Sequence, residues 1–164
     1  MERSLVLLKP DAVDRGLVGE IISRFEKTGL KIAGLKLVWP QEEHASKHYT
    51  EDLAARRGQH VRDLMIEMLT SGPIVAVVLE GVEAVEIVRK MVGTTEPKAA
   101  APGTIRGDYA HVSFKHADSK KIGVYNLVHA SGSAEEAVSE IAVWFSPQEL
   151  HEYKPGYTKH TIAY

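Results

Sequence analysis

The chain has 164 residues, with 20 lysines and arginines against 22 aspartates and glutamates, a formal charge of -2 and no cysteine. This length suits one compact domain, residues 1–164, with a core of its own. The near balance of charge excludes a general attraction to nucleic acid or anionic membrane, and the absence of thiols excludes disulfides and zinc-thiolate sites. The start MERSLVLLKPD is interrupted by charge too soon for a secretory signal, and no apolar run reaches bilayer length. A soluble, cytoplasmic protein is expected.

Ser4 to Leu8 (SLVLL) is a short apolar run closed by Lys9-Pro10-Asp11, and it predicts a buried strand that delivers Lys9 to the sheet's end. Leu17, Val18, Ile21, Ile22 and Phe25 recur at helical spacing, with Gly29 as the stop. Leu30 to Trp39 alternates imperfectly up to Pro40, as a half-buried strand does, and residues 41–71 read as helical pieces interrupted near Arg57-Gly58. Tyr49 and Trp39 read as core or groove aromatics.

Ile74 to Leu79 (IVAVVL) is continuous and β-branched, the pattern of a central strand covered on both faces. Val82, Val85, Val88, Met91 and Val92 predict a helix ending at Gly93. Residues 93–110 have no sustained period and read as a long functional loop. Val124 to Val128 is the last strand candidate. Ala137, Val138, Ile141, Trp144 and Phe145 mark the apolar stripe of a last helix, with Ser133 and Glu136 spaced as a capping box. This order fits an α+β or α/β sandwich. Its strand-helix-strand units point to a ferredoxin-like βαββαβ arrangement, an α+β fold with a four-stranded antiparallel sheet and helices packed on it.

His129 is the first candidate for chemistry, because it stands at a strand-to-helix seam where unpaired backbone N–H groups favour an anion. A neutral imidazole there could attack phosphorus, and Glu140 in the following helix could orient the ring through its other nitrogen. A strand-end histidine bonded to backbone has the same spacing. Lys9, Arg89 and Arg106 are distant in sequence, yet such a sandwich could converge them on a polyphosphate. The hydroxyls and glycines of 93–97 and 102–108 could wrap phosphate oxygens. Neither GxxxxGK[ST] nor GxGxxG after a strand is present, and the histidines lack zinc-ligand spacing.

LKPDAVDRGLVGEII, HY at 48–49, SGPIVAVVLEG, VRKMVG, TEPKAAAPGTIRGD, NLVHAS and WFSPQELHEY together resemble nucleoside diphosphate kinases, in order and over nearly the whole chain. The resemblance implies transfer of the γ-phosphate of a nucleoside triphosphate to a nucleoside diphosphate, by ping-pong through phosphorylated His129, with Mg2+ bridging the phosphates and no metal ligands from the protein itself. Glu140 matches the carboxylate that orients the nucleophile. Thr95 and Arg106 match phosphate contacts, Arg89 a β-phosphate contact, Lys9 and Asn126 the groups meeting the ribose hydroxyls and nearby phosphate, and Tyr49 a ring packed beside the nucleophile. A homo-oligomer is implied too, the hexamer ahead of the tetramer.

Three departures stand out. The family's usual Gly-Ser-Asp after the histidine is here Ala130-Ser131-Gly132, so a carboxylate is lost where the helix begins. Glu51 to Asp63 is longer than usual and lacks the phenylalanine that stacks on the base, leaving His60 or Val61 as stand-ins. Tyr109 to Tyr125 is expanded, and HADSKKIG within it reads as a polar hairpin or surface loop. These changes leave a second reading open, a nucleotide-binding regulatory module on the same scaffold with weak or no transfer.

Overall fold

A computed structural model describes residues 1–162. The first strand, β1 (Glu2–Leu8), runs into a short helix α1 (Pro10–Asp14), where Pro10 supplies a helix-compatible φ at a position whose N–H has no intrahelical partner. Helix α2 (Val18–Lys27) and strand β2 (Lys31–Val38) follow. Three helices, α3 (Glu42–His48), α4 (Glu51–Arg57) and α5 (Gln59–Thr70), separate β2 from β3 (Ile74–Gly81). Beyond β3 come α6 (Ala84–Val92), α7 (Ile105–Tyr109), α8 (Phe114–Lys120), β4 (Val128–Ala130), α9 (Ala134–Trp144) and a terminal turn of helix, α10 (Thr158–Thr161).

The sheet order is β2-β3-β1-β4 and every pairing is antiparallel. This is the expected βαββαβ sandwich, with helices packed on both faces. Alternation along β1 sends Val6 and Leu8 to one face and Leu5 and Leu7 to the other; β3 divides in the same way, with Val75, Val77 and Leu79 opposite Ile74, Ala76 and Val78. Phe25 and Ile21 of α2 and Val88 of α6 cover the first face, whereas Ile66 and Leu69 of α5 and Ile141 and Trp144 of α9 cover the second. Burial on both sides explains why β3 is continuously apolar in an antiparallel sheet. Among the described residues no helix is long and apolar enough to cross a membrane.

Several local expectations are corrected. The last strand is Val128–Ala130 rather than Val124–Val128, because Leu127 adopts a left-handed conformation (φ 69°) that breaks the extended run. The 93–110 segment contains a 3-10 turn at Pro97–Ala99 and helix α7. HADSKKIG is no hairpin. Most of it lies in α8, which Ser113 caps by accepting the His116 N–H. Val138 is 73% exposed and leaves the stripe of α9, while Trp39 is 61% exposed, its indole N–H held by the Thr70 carbonyl.

Candidate active site

Register places His129. It pairs with Leu7 of β1, and directly opposed residues share a face, so its imidazole projects toward the layer that contains α3 and α9. Val128, one residue earlier, pairs with Leu8 and enters the other core. A slip of one residue would therefore bury the histidine on the wrong side of the sheet.

Glu140 reaches His129 from the second turn of α9, its Oε1 lying 2.8 Å from Nε2, with the two side chains 15% and 21% exposed. Its other oxygen accepts the Ser131 hydroxyl at 2.6 Å. Ser131 in turn is pinned to β1, since its backbone N–H donates to the Leu5 carbonyl and its Oγ accepts the Leu5 N–H. Burial opposes the charge of Glu140, but the contacts to His129 and Ser131 outweigh it and hold its carboxyl below the ordinary range. Among the described residues nothing hydrogen-bonds His129 Nδ1. The ring thus has one nitrogen against a carboxylate and one free.

Lys9 and Arg106 lie close enough to act on one another, and Arg89 close enough to act on Arg106. Lys9, buried at the end of β1, donates to Asn126 Oδ1 at 2.7 Å, and Asn126 Nδ2 donates to the Thr95 carbonyl. Desolvation pushes the Lys9 amine down to about 8, with Asp11 opposing the shift and Arg106 adding to it. Arg106 is held by carbonyls alone, donating to Asn126, Gly93 and Val128 at 3.3, 2.8 and 2.6 Å. Among the described residues no carboxylate pairs with it directly, and burial together with nearby Arg89 pushes it down to about 10, with Tyr49 and Asp11 opposing the shift. Gly107 makes this loop possible, since a Cβ there would lie 2.0 Å from the Ala101 carbonyl oxygen. Arg89 itself is exposed on α6 and close enough to act on Arg106 electrostatically; Thr95 is exposed.

The sequence reading missed Asp11 and Leu127. Asp11 Oδ2 accepts the Leu127 N–H and Leu127 accepts the Lys9 N–H, so a residue in a costly backbone conformation is clamped from both sides. That clamp sets the step between Asn126 and β4. Its signal in sequence is weak, because a lone Asp after Lys-Pro has many uses.

Tyr49 is buried with an unpartnered hydroxyl, and burial and Glu140 push that phenol up. The ring found against His129 is that of His48, edge to face with centroids 4.4 Å apart, and Tyr49 stands edge-on to His48 at 4.8 Å. One donor atom each from His48, His129 and Glu140 lie within 4.8 Å of one another. Such a set of two nitrogens and an oxygen suits a transition metal better than Mg2+, which prefers oxygen. Yet His48 Nδ1 already accepts the Trp144 indole N–H at 3.3 Å, so Nε2 carries the ring's proton and offers no lone pair.

The absent aspartate at the start of α9 is made good from within the helix. Ser133 Oγ accepts the Glu136 N–H, and Glu136 Oε2 reaches back to the Gly132 N–H at 3.1 Å. A Cβ on Gly132 would lie 2.4 Å from that oxygen, so the glycine and the returning carboxylate occupy complementary space. Replacing Ser133 with alanine is expected to cost about 1 kcal/mol of stability, read as a lowered midpoint in urea unfolding. His60 and Val61, the candidate base-stacking residues, both lie exposed at the start of α5.

Comparison with known proteins agrees with this geometry. Residues 2–150 match the family model described as nucleoside diphosphate kinase. The chain is 52% identical to a nucleoside diphosphate kinase of Pyrococcus furiosus over 93% of its length and 88% of that protein's. A solved structure of the Borrelia burgdorferi nucleoside-diphosphate kinase, a transition state mimic with bound vanadate and ADP, superposes with a TM-score of 0.96 at 40% identity, covering 99% of this chain and 97% of that one. The Halobacterium salinarum enzyme in complex with CDP superposes with a TM-score of 0.83 at 38% identity, covering 98% and 97%. With its buried cations, its histidine-glutamate pair and these relatives, the chain belongs to the nucleoside diphosphate kinase family.

Proposed function

We propose that this enzyme moves the γ-phosphate of a nucleoside triphosphate to a nucleoside diphosphate by ping-pong through His129. The observation that carries the reading is the His129 imidazole itself, with Glu140 against Nε2, Nδ1 without a partner among the described residues, and Arg106 on the carbonyl of the preceding residue, Val128. In the first half-reaction Nδ1 attacks the γ-phosphorus, the bond to the β,γ-bridging oxygen breaks, and the electron pair leaves with the diphosphate. The second half runs this backward with a new diphosphate, whose terminal oxygen takes the phosphoryl group from nitrogen.

Glu140 stabilises the cationic ring that forms on attack. Arg106, Lys9, Arg89 and Thr95 contact phosphate oxygens, where fixed positive charge does most of the work in phosphoryl transfer. Lys9 and Asn126 also meet the ribose. Tyr49 packs the floor behind His48. The family's Mg2+ fits on the nucleotide rather than on the protein, since Glu140 is taken by His129 and Ser131, and Asp11, with Oδ2 on the Leu127 N–H, has a single buried oxygen left, too few for an ion that prefers several oxygen ligands. When bound, the ion neutralises phosphate charge, and the residues that hold it are those that hold the phosphates.

Incubation with γ-labelled ATP is expected to leave acid-labile, base-stable label on the chain, which GDP or CDP then removes. Persistence of the label in His129→Ala would exclude that residue as the acceptor. Affinity for nucleotide should also fall as pH rises through about 8, where the Lys9 amine of the free enzyme loses its charge. The sign follows from the depressed pKa: the cation is present below that value and lost above it. Calorimetric titration between pH 7 and 10 checks this, and affinity unchanged over that range would contradict it.

A cytoplasmic homo-oligomer, the hexamer ahead of the tetramer, completes the reading. Supporting it, Leu35 and Leu37 of β2, an edge of the sheet, and Trp39 just past its end are 49%, 66% and 61% exposed. Exposed apolar residues on a strand edge are commonly covered by another chain. Sedimentation velocity decides the state.

A further inference from the structure

Three side chains over the second face of the sheet, buried Trp144 and His48 and half-buried His44, have polar atoms that phosphate recognition does not use. The Trp144 indole stacks at 36° on His44, with centroids 4.5 Å apart, and donates its N–H to His48 Nδ1. His48 is buried, its Nε2 has no partner, and its ring meets His129 at 87°. An indole nitrogen only donates, so the nitrogen that accepts from it must be unprotonated, and the proton of a neutral His48 is forced onto Nε2.

We propose that His48 is a positioning residue for phosphoryl transfer: Trp144 fixes it as the Nε2–H tautomer, and its ring, edge to face with His129, keeps that imidazole turned so that Glu140 holds Nε2 and Nδ1 stays free. This rests on His129 being the nucleophile. The alternative orientation of the His129 ring would put a lone pair at Nε2, where the His48 N–H could bond to it. Glu140 disfavours that state by demanding a donor from His129, and His48, fixed by Trp144 with its proton on Nε2, offers no lone pair to compete with Glu140 for that donor.

Neutrality is part of the device. His48 faces His129 from β4, Lys9 from the end of β1, His44 and Tyr49 on its own segment, and Glu140 from α9. Burial, then His129, Lys9 and His44, hold its imidazole well below the ordinary histidine range. A second cation beside His129 would compete for Glu140, and the indole N–H blocks the one nitrogen on which that extra proton could sit.

The experiment measures the single-turnover rate of protein phosphorylation from labelled ATP, with nucleotide affinity, between pH 5.5 and 9. His48→Ala removes the ring that meets His129; it is expected to slow phosphorylation roughly 10- to 100-fold, as small misplacements of a reacting group do, with nucleotide affinity unchanged. His48→Phe, which restores a ring at the same place without a titrating nitrogen, should recover part of that loss. Trp144→Phe frees Nδ1 and should move the acid limb of the rate profile to higher pH. A Phe variant no faster than Ala, or a Trp144→Phe protein that phosphorylates with the wild-type acid limb, overturns the proposal. Should Trp144→Phe fail to fold, the His48 pair decides alone. Label that survives in His129→Ala would instead defeat the nucleophile assignment, and is read separately.

Discussion

Replacing His129 with alanine is expected to lower nucleoside diphosphate phosphorylation on the order of 10^4-fold or more, as losing the attacking group of a covalent mechanism does. Folding and nucleotide affinity should change little. The imidazole is only partly buried and its Nδ1 bonds to nothing among the described residues, so truncation leaves Glu140 with Ser131 still donating to it. Steady-state exchange between ATP and GDP, with calorimetry of ADP binding on the same variant, separates the two effects. Comparable losses in both would point to a binding role and would contradict the assignment.

Arg106→Ala is expected to damage stability and rate together. The guanidinium satisfies the carbonyls of Gly93, Asn126 and Val128, which hold the 93–110 segment against the approach to β4. The Asn126 carbonyl keeps the Val128 N–H, but those of Gly93 and Val128 lose this donor, at about 1–3 kcal/mol each and partly relieved by entering water, so a total of about 3 kcal/mol is expected in urea unfolding. Loss of the cation proposed to contact the phosphates should lower kcat/KM roughly 10^2- to 10^3-fold. Arg106→Lys is expected to recover little of either, because an ammonium cannot span three diverging carbonyls as a planar fork does. Near wild-type stability in the alanine variant would mean that those carbonyls find other donors.

Much of this architecture is legible in the residues, for identifiable reasons. The β3 run IVAVVL is visible because burial on both faces leaves an uninterrupted apolar signature, and α2 and α6 because one buried face repeats every three to four residues. The short last strand is misplaced by the sequence reading because Leu127 is apolar and looks extended. Its left-handed backbone is enforced by Asp11, 116 residues away, and no local pattern reports that. The 114–120 helix hides in a polar segment because a capped turn on the surface needs few apolar residues.

Within the site, His129, Glu140, Lys9, Asn126 and Arg106 could be marked in advance, the first two by a strand-to-helix seam and all of them by family resemblance. Their geometry could not. That His129 and not Val128 faces α9 depends on a pairing with Leu7 across the sheet. His48 lies inside a motif the sequence displays, but its partners Trp144 and His129 are distant in the chain and meet only through packing of α3 and α9 over one face. Gly132 looks like a loss in sequence; Glu136 filling the space beside it is a matter of side-chain direction.

A phosphohistidine route releases diphosphate before any acceptor arrives, whereas direct transfer between two bound nucleotides does not. Rapid-quench mixing of the enzyme with ATP alone therefore bears on the covalent step without substitution or labelled acceptor. A burst of about one ADP per chain is expected, followed by a slow phase of hydrolysis. Brisk exchange between ATP and GDP by an enzyme that gives no such burst with ATP alone would contradict transfer through His129.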